Sequence, residues 1–279
     1  MKVGEGNVVL IAGGGEIYAD VAGRFVGSKR SLEEIIASDY NKNIVKNIIN
    51  AGHEAALEFD YFIFGVEGYS RVSEAQLIRK RLASYMIKSG RIEKGGERSF
   101  DVVLPSAEGF ENFKLHHMIE PEEITIDGID LHDFLMDSGY GLEGDVKINL
   151  NAKGILDIVE AWYNRGVELG YAEEDLRYLK PQATEFKALV GMNARSWRDW
   201  WKIRCCRNAQ TEIRDMANKT LRICKDTAPD LFEDAGPNCV RLGYCPENGR
   251  QHEDCNIITK DEMADALNML DVDQINHLF

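Results

Sequence analysis

The chain has 279 residues, with 33 Lys plus Arg against 47 Asp plus Glu and a net charge of −14. Hydrophobic residues at 44% and charged residues at 29% exclude a disordered chain, and at this length roughly 70% of the extended surface can be buried in a self-sufficient core. The acidity excludes a general affinity for nucleic acid or anionic membrane, so any phosphate site must be local.

The unbroken aliphatic run Val8 to Ala12 is too short to span a bilayer, and the residues before it lack the apolar stretch of a signal peptide. The expectation is a soluble, cytoplasmic protein with no membrane partner. Val8 to Ile11 reads as a short buried strand, and Gly13-Gly14-Gly15 after it as a turn, since neither the Lys-Ser/Thr of a Walker loop nor a dinucleotide spacing follows. Ser31 with Glu34 forms a capping box, and Ile44, Val45, Ile48 and Ile49 carry a helical stripe that stops near Gly52. Leu57 to Val66 alternates and is rich in aromatics, which predicts a strand.

Residues 106–150 hold 11 acids against Lys114 and Lys147, a local charge of −9, and read as a solvated acidic insertion. A long helix is predicted from Ala152, with Ile155, Val159 and Trp162 on one face and an end at Gly166 or Gly170. Ser196, with Asp199 three residues on, predicts the cap of a second long helix running to Pro229. Thr259 and Glu262 predict a tail helix. The domain boundaries expected are a main domain over 1–235, with the insertion at about 106–150, and a cysteine-containing extension over 236–279.

Two basic clusters stand out against this acidity. Residues 79–91 hold Arg79, Lys80, Arg81, Lys88 and Arg91 and no acid. Arginine forks match phosphate oxygens, and Ser89-Gly90 adds a hydroxyl and a closely approachable backbone, so the segment reads either as a phosphate pocket or as a solvated basic face. Residues 193–214 hold six bases against Asp199 and Glu212, with Trp197, Trp200 and Trp201 at helical spacing, which marks core. Arg204, seven residues after Trp197, should share that apolar face and therefore needs an anionic partner.

These residues resemble the flavin-dependent thymidylate synthases. The family signature is Arg-His-Arg, two free positions, Ser, one free, Asn, two free, Ser, one free, Arg; Arg79, Arg81, Ser84, Ser89 and Arg91 match five of its seven fixed positions in register. Asn193-Ala194-Arg195-Ser196, Arg204 and Ala209-Gln210-Thr211-Glu212-Ile213-Arg214 are similar to a second family pattern, Leu179 to Thr184 to a third, and Gly52-His53-Glu54 to the family's Gly-His-Glu. The central His of the signature is Lys80, the Asn is Met86, and Ile87 stands at a position commonly acidic.

The resemblance implies an α/β (α+β type) fold, a central mixed sheet flanked by long helices, in a homotetramer whose active sites are shared between subunits. It implies methylation of dUMP to dTMP, with FAD as cofactor and NADPH and methylenetetrahydrofolate as co-substrates. Arg79, Lys80, Arg81, Asn193 and Arg195 would contact the flavin. Gln76, Ser89, Gly90, Arg91, Arg177 and Arg204 would hold the nucleotide, and His53 beside the flavin would join Arg204 as a catalytic group. The departures at Lys80 and Met86 leave two alternatives: a methylase of another pyrimidine nucleotide, or a non-catalytic flavin- or nucleotide-binding homologue. No catalytic metal is expected; Cys239, Cys245 and Cys255, with His252 and Cys205 or Cys206, read either as a structural zinc site or as reduced thiols.

Overall fold

The structure is a computed structural model that describes residues 2–3, 6–89, 100–105, 114–118, 125–126, 129–130, 147–247 and 250–268. The chain divides into two compact units, one of Met1–Glu5, Ser70–Val72 and Lys88–Glu185, the other of Gly6–Tyr69, Ser73–Ile87 and Phe186–Phe279. The described elements in chain order begin with strands β1 (Lys2–Val3) and β2 (Asn7–Ala12), then helices α1 (Ile17–Gly27), α2 (Leu32–Ile36) and α3 (Lys42–Asn50). A 3-10 turn (Glu54–Glu58) leads to β3 (Tyr61–Ser70), α4 (Arg71–Leu77), β4 (Ser84–Ile87) and β5 (Val103–Leu104). Within the acidic insertion the described parts are strands: β6 (Lys114–Met118), β7 (Thr125–Ile126), β8 (Ile129–Asp130) and β9 (Lys147–Asn151). Then come α5 (Ala152–Glu168), α6 (Glu173–Leu176), β10 (Glu185–Asn193), α7 (Ala194–Arg204), α8 (Thr211–Thr227), α9 (Pro229–Phe232), α10 (Asn238–Leu242) and α11 (Lys260–Asn268).

In the second unit the strands run in the order β2-β3-β10-β4. The expected mixed sheet is instead antiparallel: β2 runs against β3 and β4 against β10. Ala194 N donates to Asp60 O (2.7 Å) just beyond one end of the β3–β10 pair, so the chain enters β3 where it leaves β10. The parallel pair among the described strands is β1 with β5, in the first unit.

Period-two alternation puts Phe62, Phe64 and Val66 of β3 and Phe186, Ala188, Val190 and Met192 of β10 on one buried face. Against it lies an aromatic stack of the helical layer. Trp197 meets Phe64 edge-on at 5.1 Å and stacks on Trp201 at 5.6 Å, and Phe232 meets Phe62 and Trp201 at 5.2 Å. Each such pair adds about 0.5–1.5 kcal/mol beyond area burial. Both indoles of the stack are satisfied, Trp197 Nε1 donating to Phe62 O (3.2 Å) and Trp201 Nε1 to Thr220 Oγ1 (3.0 Å).

Several expectations are corrected. The Val8 to Ala12 strand is an edge strand with one face open: Val9 and Ile11 are 51% and 54% exposed, because only Val8 and Leu10 point to the core. Leu57 belongs to the 3-10 turn, and the strand begins at Tyr61. The single long helix from Ser196 is two helices. Asn193 caps the first, its side chain accepting from Ser196 N (2.8 Å), while Gln210 caps the second, accepting from Ile213 N (3.0 Å). Residues 205–210 therefore break the helix well before Pro229. On α5 the buried apolar side chains are those of Leu156 and Tyr163, with Val159 partly buried, whereas Ile155 and Trp162 are exposed.

Other expectations hold. Gly13 and Gly14 have φ of +112° and +113°, and α3 ends before Gly52 at φ +73°. The Ser31–Glu34 box is reciprocal, and Thr259 with Glu262 forms another before α11. In the first unit, Phe100, Val102, Leu104, Leu156, Tyr163 and Leu176 make a small core, and β6 pairs antiparallel with β9. Among the described residues no helix is long and apolar enough to cross a membrane.

Candidate active site

The second unit gathers most of the expected site residues along α7. The turn between α4 and β4 carries Arg79, Lys80 and Arg81. It is fastened from both sides by Tyr85, whose hydroxyl donates to Leu77 O and Lys80 O, both at 2.9 Å. Leu77 is buried and anchors the turn, while Arg79 and Arg81 are exposed. Lys80 reaches α7, its Nζ 3.5 Å from Asp199 Oδ2, and Lys202 donates to the other carboxylate oxygen at 2.8 Å. Burial raises the Asp199 carboxyl, but Lys202 and Lys80 outweigh it and hold the group below its ordinary range.

Near the end of α7 stands Arg204. Its guanidinium donates to Gln76 Oε1 (3.2 Å) and to Gln76 O (3.1 Å). Burial first, and then the neighbouring charge of Arg79, hold it below its ordinary value. The anionic partner expected from its apolar face is therefore replaced by two carbonyl oxygens, and its electrostatic neighbour is a second cation. The buried arginine of α7 that does hold a carboxylate is Arg198, forked onto Asp234 at 2.7 and 2.8 Å and onto Leu231 O.

At the other end of α7, Asn193 spends its amide oxygen on the helix cap. Arg195 is exposed and ion-paired with Glu58 of the 3-10 turn. His53 immediately precedes that turn; it is exposed, and its N–H donates to Ile48 O at 2.9 Å. The Glu58–Arg195 pair thus ties the His53 turn to the start of α7.

Gln76, Arg79, Lys80, Arg81, Asn193, Arg195, Arg204 and His53 belong to this unit. Ser89 and Arg177 belong to the other; both are exposed, and Arg177 Nε donates to Glu174 O at 3.4 Å. Gly90 and Arg91 lie outside the described residues. Met86 is 72% exposed, while Ile87 turns inward against the core, as alternation along β4 requires. Three contributors escaped the sequence reading: Glu58, Tyr85 and Asp199 as the partner of Lys80. The local signal at Asp199 was a capping carboxylate, and the pairing with Lys80 spans 119 positions.

The site can hold a polyanion. Exposed Arg79, with exposed Arg81 on the same turn, stands near a half-buried Arg204 whose charge no carboxylate offsets among the described residues. Guanidinium groups so placed bind phosphate or stabilise an anionic ring oxygen. Among the described residues no three His, Cys, Asp or Glu side chains are arranged as a metal-ligand set.

Comparison with known proteins places the chain in a family. The family model described as thymidylate synthase complementing protein matches residues 15–230. A flavin-dependent thymidylate synthase of Geobacter sulfurreducens is 33% identical over 224 residues, covering 80% of this chain and 81% of the relative. The enzyme of that name from Nitratidesulfovibrio vulgaris is 34% identical over 79% of both chains, and that from Pyrococcus furiosus 31% over 82% of both. Among solved structures, a UMP/dUMP methylase from Streptomyces cacaoi bound with 5-Br dUMP superposes with a TM-score of 0.61 at 18% identity, over 84% of this chain and 96% of that one, a likeness of fold. The chain belongs to the flavin-dependent thymidylate synthase family, a family of methyltransferase enzymes.

Proposed function

We propose that this enzyme methylates carbon 5 of dUMP to give dTMP. The one-carbon unit comes from methylenetetrahydrofolate and the reducing equivalents from NADPH through FAD. The observation that carries the reading is Arg204, a half-buried cation held by Gln76 carbonyls and crowded by Arg79, with no carboxylate to offset it among the described residues. A nucleotide monophosphate supplies the missing negative charge. Arg79, Lys80 and Arg81 on their pinned turn, with Asn193 and Arg195 at the start of α7, have the donor chemistry to hold a flavin diphosphate. Lysine at position 80 is already shared with Asp199, so it presents part of a charge rather than a free one.

When bound, the flavin supplies the redox chemistry that couples NADPH to the transferred carbon. The protein's own part is orientation and charge. Arg204 and Gln76 hold the uracil, Arg204 stabilising negative charge on the ring as its carbon 5 becomes a nucleophile. Ser89, Gly90, Arg91 and Arg177 complete the nucleotide contacts in this reading, and His53 closes the flavin side.

The open face of the sheet supports self-association in this reading. Val9, Ile11, Tyr61, Leu189 and Met86 are all 44% or more exposed, and alternation places them on the face turned away from the core. Gly65 lies beside Ile11 and Leu189 on that face, and Gly191 beside Tyr61. An apolar sheet face of this kind suits burial against further copies of the chain, in keeping with a homotetramer with shared sites. The family match ends at 230; in this reading the main domain runs to about 235 and an extension of the same compact unit follows.

The test is an absorbance spectrum of the purified protein. A flavin band that bleaches with NADPH and responds to dUMP is the expected result. A protein that stays colourless after added FAD would overturn the reading in favour of a non-catalytic homologue. A second substrate reading, another pyrimidine nucleotide, is favoured by Met86, which presents a thioether where the family signature has an amide. Product analysis over dUMP, UMP and dCMP separates the two.

A further inference from the structure

The segment after α9 is held in place by little apolar burial. Between 237 and 265 the one buried residue among those described is Cys245, at 7% exposure. Its helices are five and nine residues long, too short to be stable alone. Yet its backbone is gathered into one place. Cys245 N donates to Ile258 O (2.7 Å), Gln251 Nε2 to Cys255 O (2.8 Å) and Ile257 O (2.7 Å), and Asn208 Nδ2 reaches across to Arg250 O (2.7 Å). A lobe this small without a core normally depends on a covalent or metal staple.

The residues that could form one converge. Cys206, just past the end of α7, and Cys239, Cys245 and Cys255 of the lobe line one cavity of about 360 Å³, with His252 on the same wall. A divalent cation placed among thiols favours their ionisation and binds the thiolates that result. Cys205 also borders this cavity but is buried in the main core, as is Cys224 on α8, and both belong to packing instead.

We infer that Cys206, Cys239, Cys245 and Cys255 bind a structural Zn(II) ion that fastens the C-terminal lobe to the end of α7. No three of these side chains stand in a ligating arrangement among the described residues, so the thiols draw together across the cavity as the ion enters, releasing their protons. Four thiolates leave no open position for substrate or water, which makes the site structural rather than catalytic. It lies two residues beyond Arg204 and stands independently of the proposed nucleotide chemistry.

The test uses untagged full-length protein from zinc-supplemented medium. Metal analysis should find about one zinc per chain. An organomercurial should release it stoichiometrically to a colorimetric chelator without any substitution. Cys239→Ser and Cys255→Ser should lose the zinc, while His252→Ala should keep it. Cobalt titrated into the reduced, zinc-free protein should give the thiolate charge-transfer bands of a four-sulfur tetrahedral site. Absence of both zinc and a cobalt spectrum overturns the proposal, and so does a mass spectrum showing these cysteines paired as disulfides. Zinc that survives Cys239→Ser but not His252→Ala overturns the ligand set.

Discussion

Replacing Arg204 by glutamine removes one positive charge from the site while keeping a side chain that can still hydrogen-bond. Two effects oppose each other in the free protein. The variant weakens the hydrogen bonds to Gln76 Oε1 and O at 3.2 and 3.1 Å, but it also relieves burial of a charge and its repulsion by Arg79. The thermal midpoint should therefore move by only a few degrees. Binding has no such offset. Two charge-assisted contacts at about 1.5–3 kcal/mol each, discounted because the group is only half-buried, amount to about 3–4 kcal/mol, or a 10²- to 10³-fold rise in Kd. Isothermal titration of dUMP into each protein, at low and at high salt, measures this. Wild-type affinity should fall with ionic strength and the variant's should fall less, since the lost term is electrostatic. A variant Kd within threefold of wild type, in a protein with unchanged circular dichroism, would refute the assignment of Arg204 to the nucleotide.

Asp60 is 1% exposed, and burial lifts its carboxyl to about 6 even though Ala19 N (2.8 Å) and Tyr18 N donate to it. The folded state therefore binds a proton more tightly than the unfolded one, and the stability this brings at low pH is lost as pH rises through 6. Asp60→Asn should gain on wild type by about 1–1.5 kcal/mol between pH 5 and pH 8, read from urea melts at both; a pH-independent difference would refute it. Asp234→Ala strands Arg198, which is 3% exposed, with Leu231 O alone among the partners described. The cost should be about 2–4 kcal/mol in a denaturant melt, below the fully buried limit because Asp234 itself is half-exposed. Gly13→Ala should cost about 2 kcal/mol or more, since the new Cβ would sit 2.7 Å from Tyr61 O at φ +112°. Gly52→Ala, at φ +73° with nothing within 4 Å, should cost only the left-handed backbone term of about 1 kcal/mol.

What was legible in the sequence was local. The stripe of Ile44, Val45, Ile48 and Ile49 gave α3 because helix geometry repeats every 3.6 residues, and both Ser/Thr capping boxes formed where the pattern put them. The helix break at 205–210 was hidden because its caps are amide side chains, Asn193 and Gln210, while Ser196 and Asp199 mimicked a capping pair a few residues too late. The basic clusters pointed to the site, but the partners that hold them did not show. Lys80–Asp199 and Arg195–Glu58 join positions 119 and 137 apart, and no periodicity encodes such pairs.

The edge strand carries the same lesson one step further. Val8 to Ile11 reads as buried because four consecutive aliphatic residues suit a strand covered on both faces. Among the described residues the second face stays open: Val9 and Ile11 stand more than half exposed, on the face that Leu189 and Met86 share. The expectation of a buried strand is met on one face only, and the proposed homotetramer would account for the other. In the proposed homotetramer a second copy supplies the other cover, which is also the condition under which a site split between distant parts of the sequence can be completed across subunits. Val9→Lys with Ile11→Lys should accordingly leave circular dichroism unchanged and shift the mass seen by light scattering toward the monomer; an unchanged assembly would refute this use of the face.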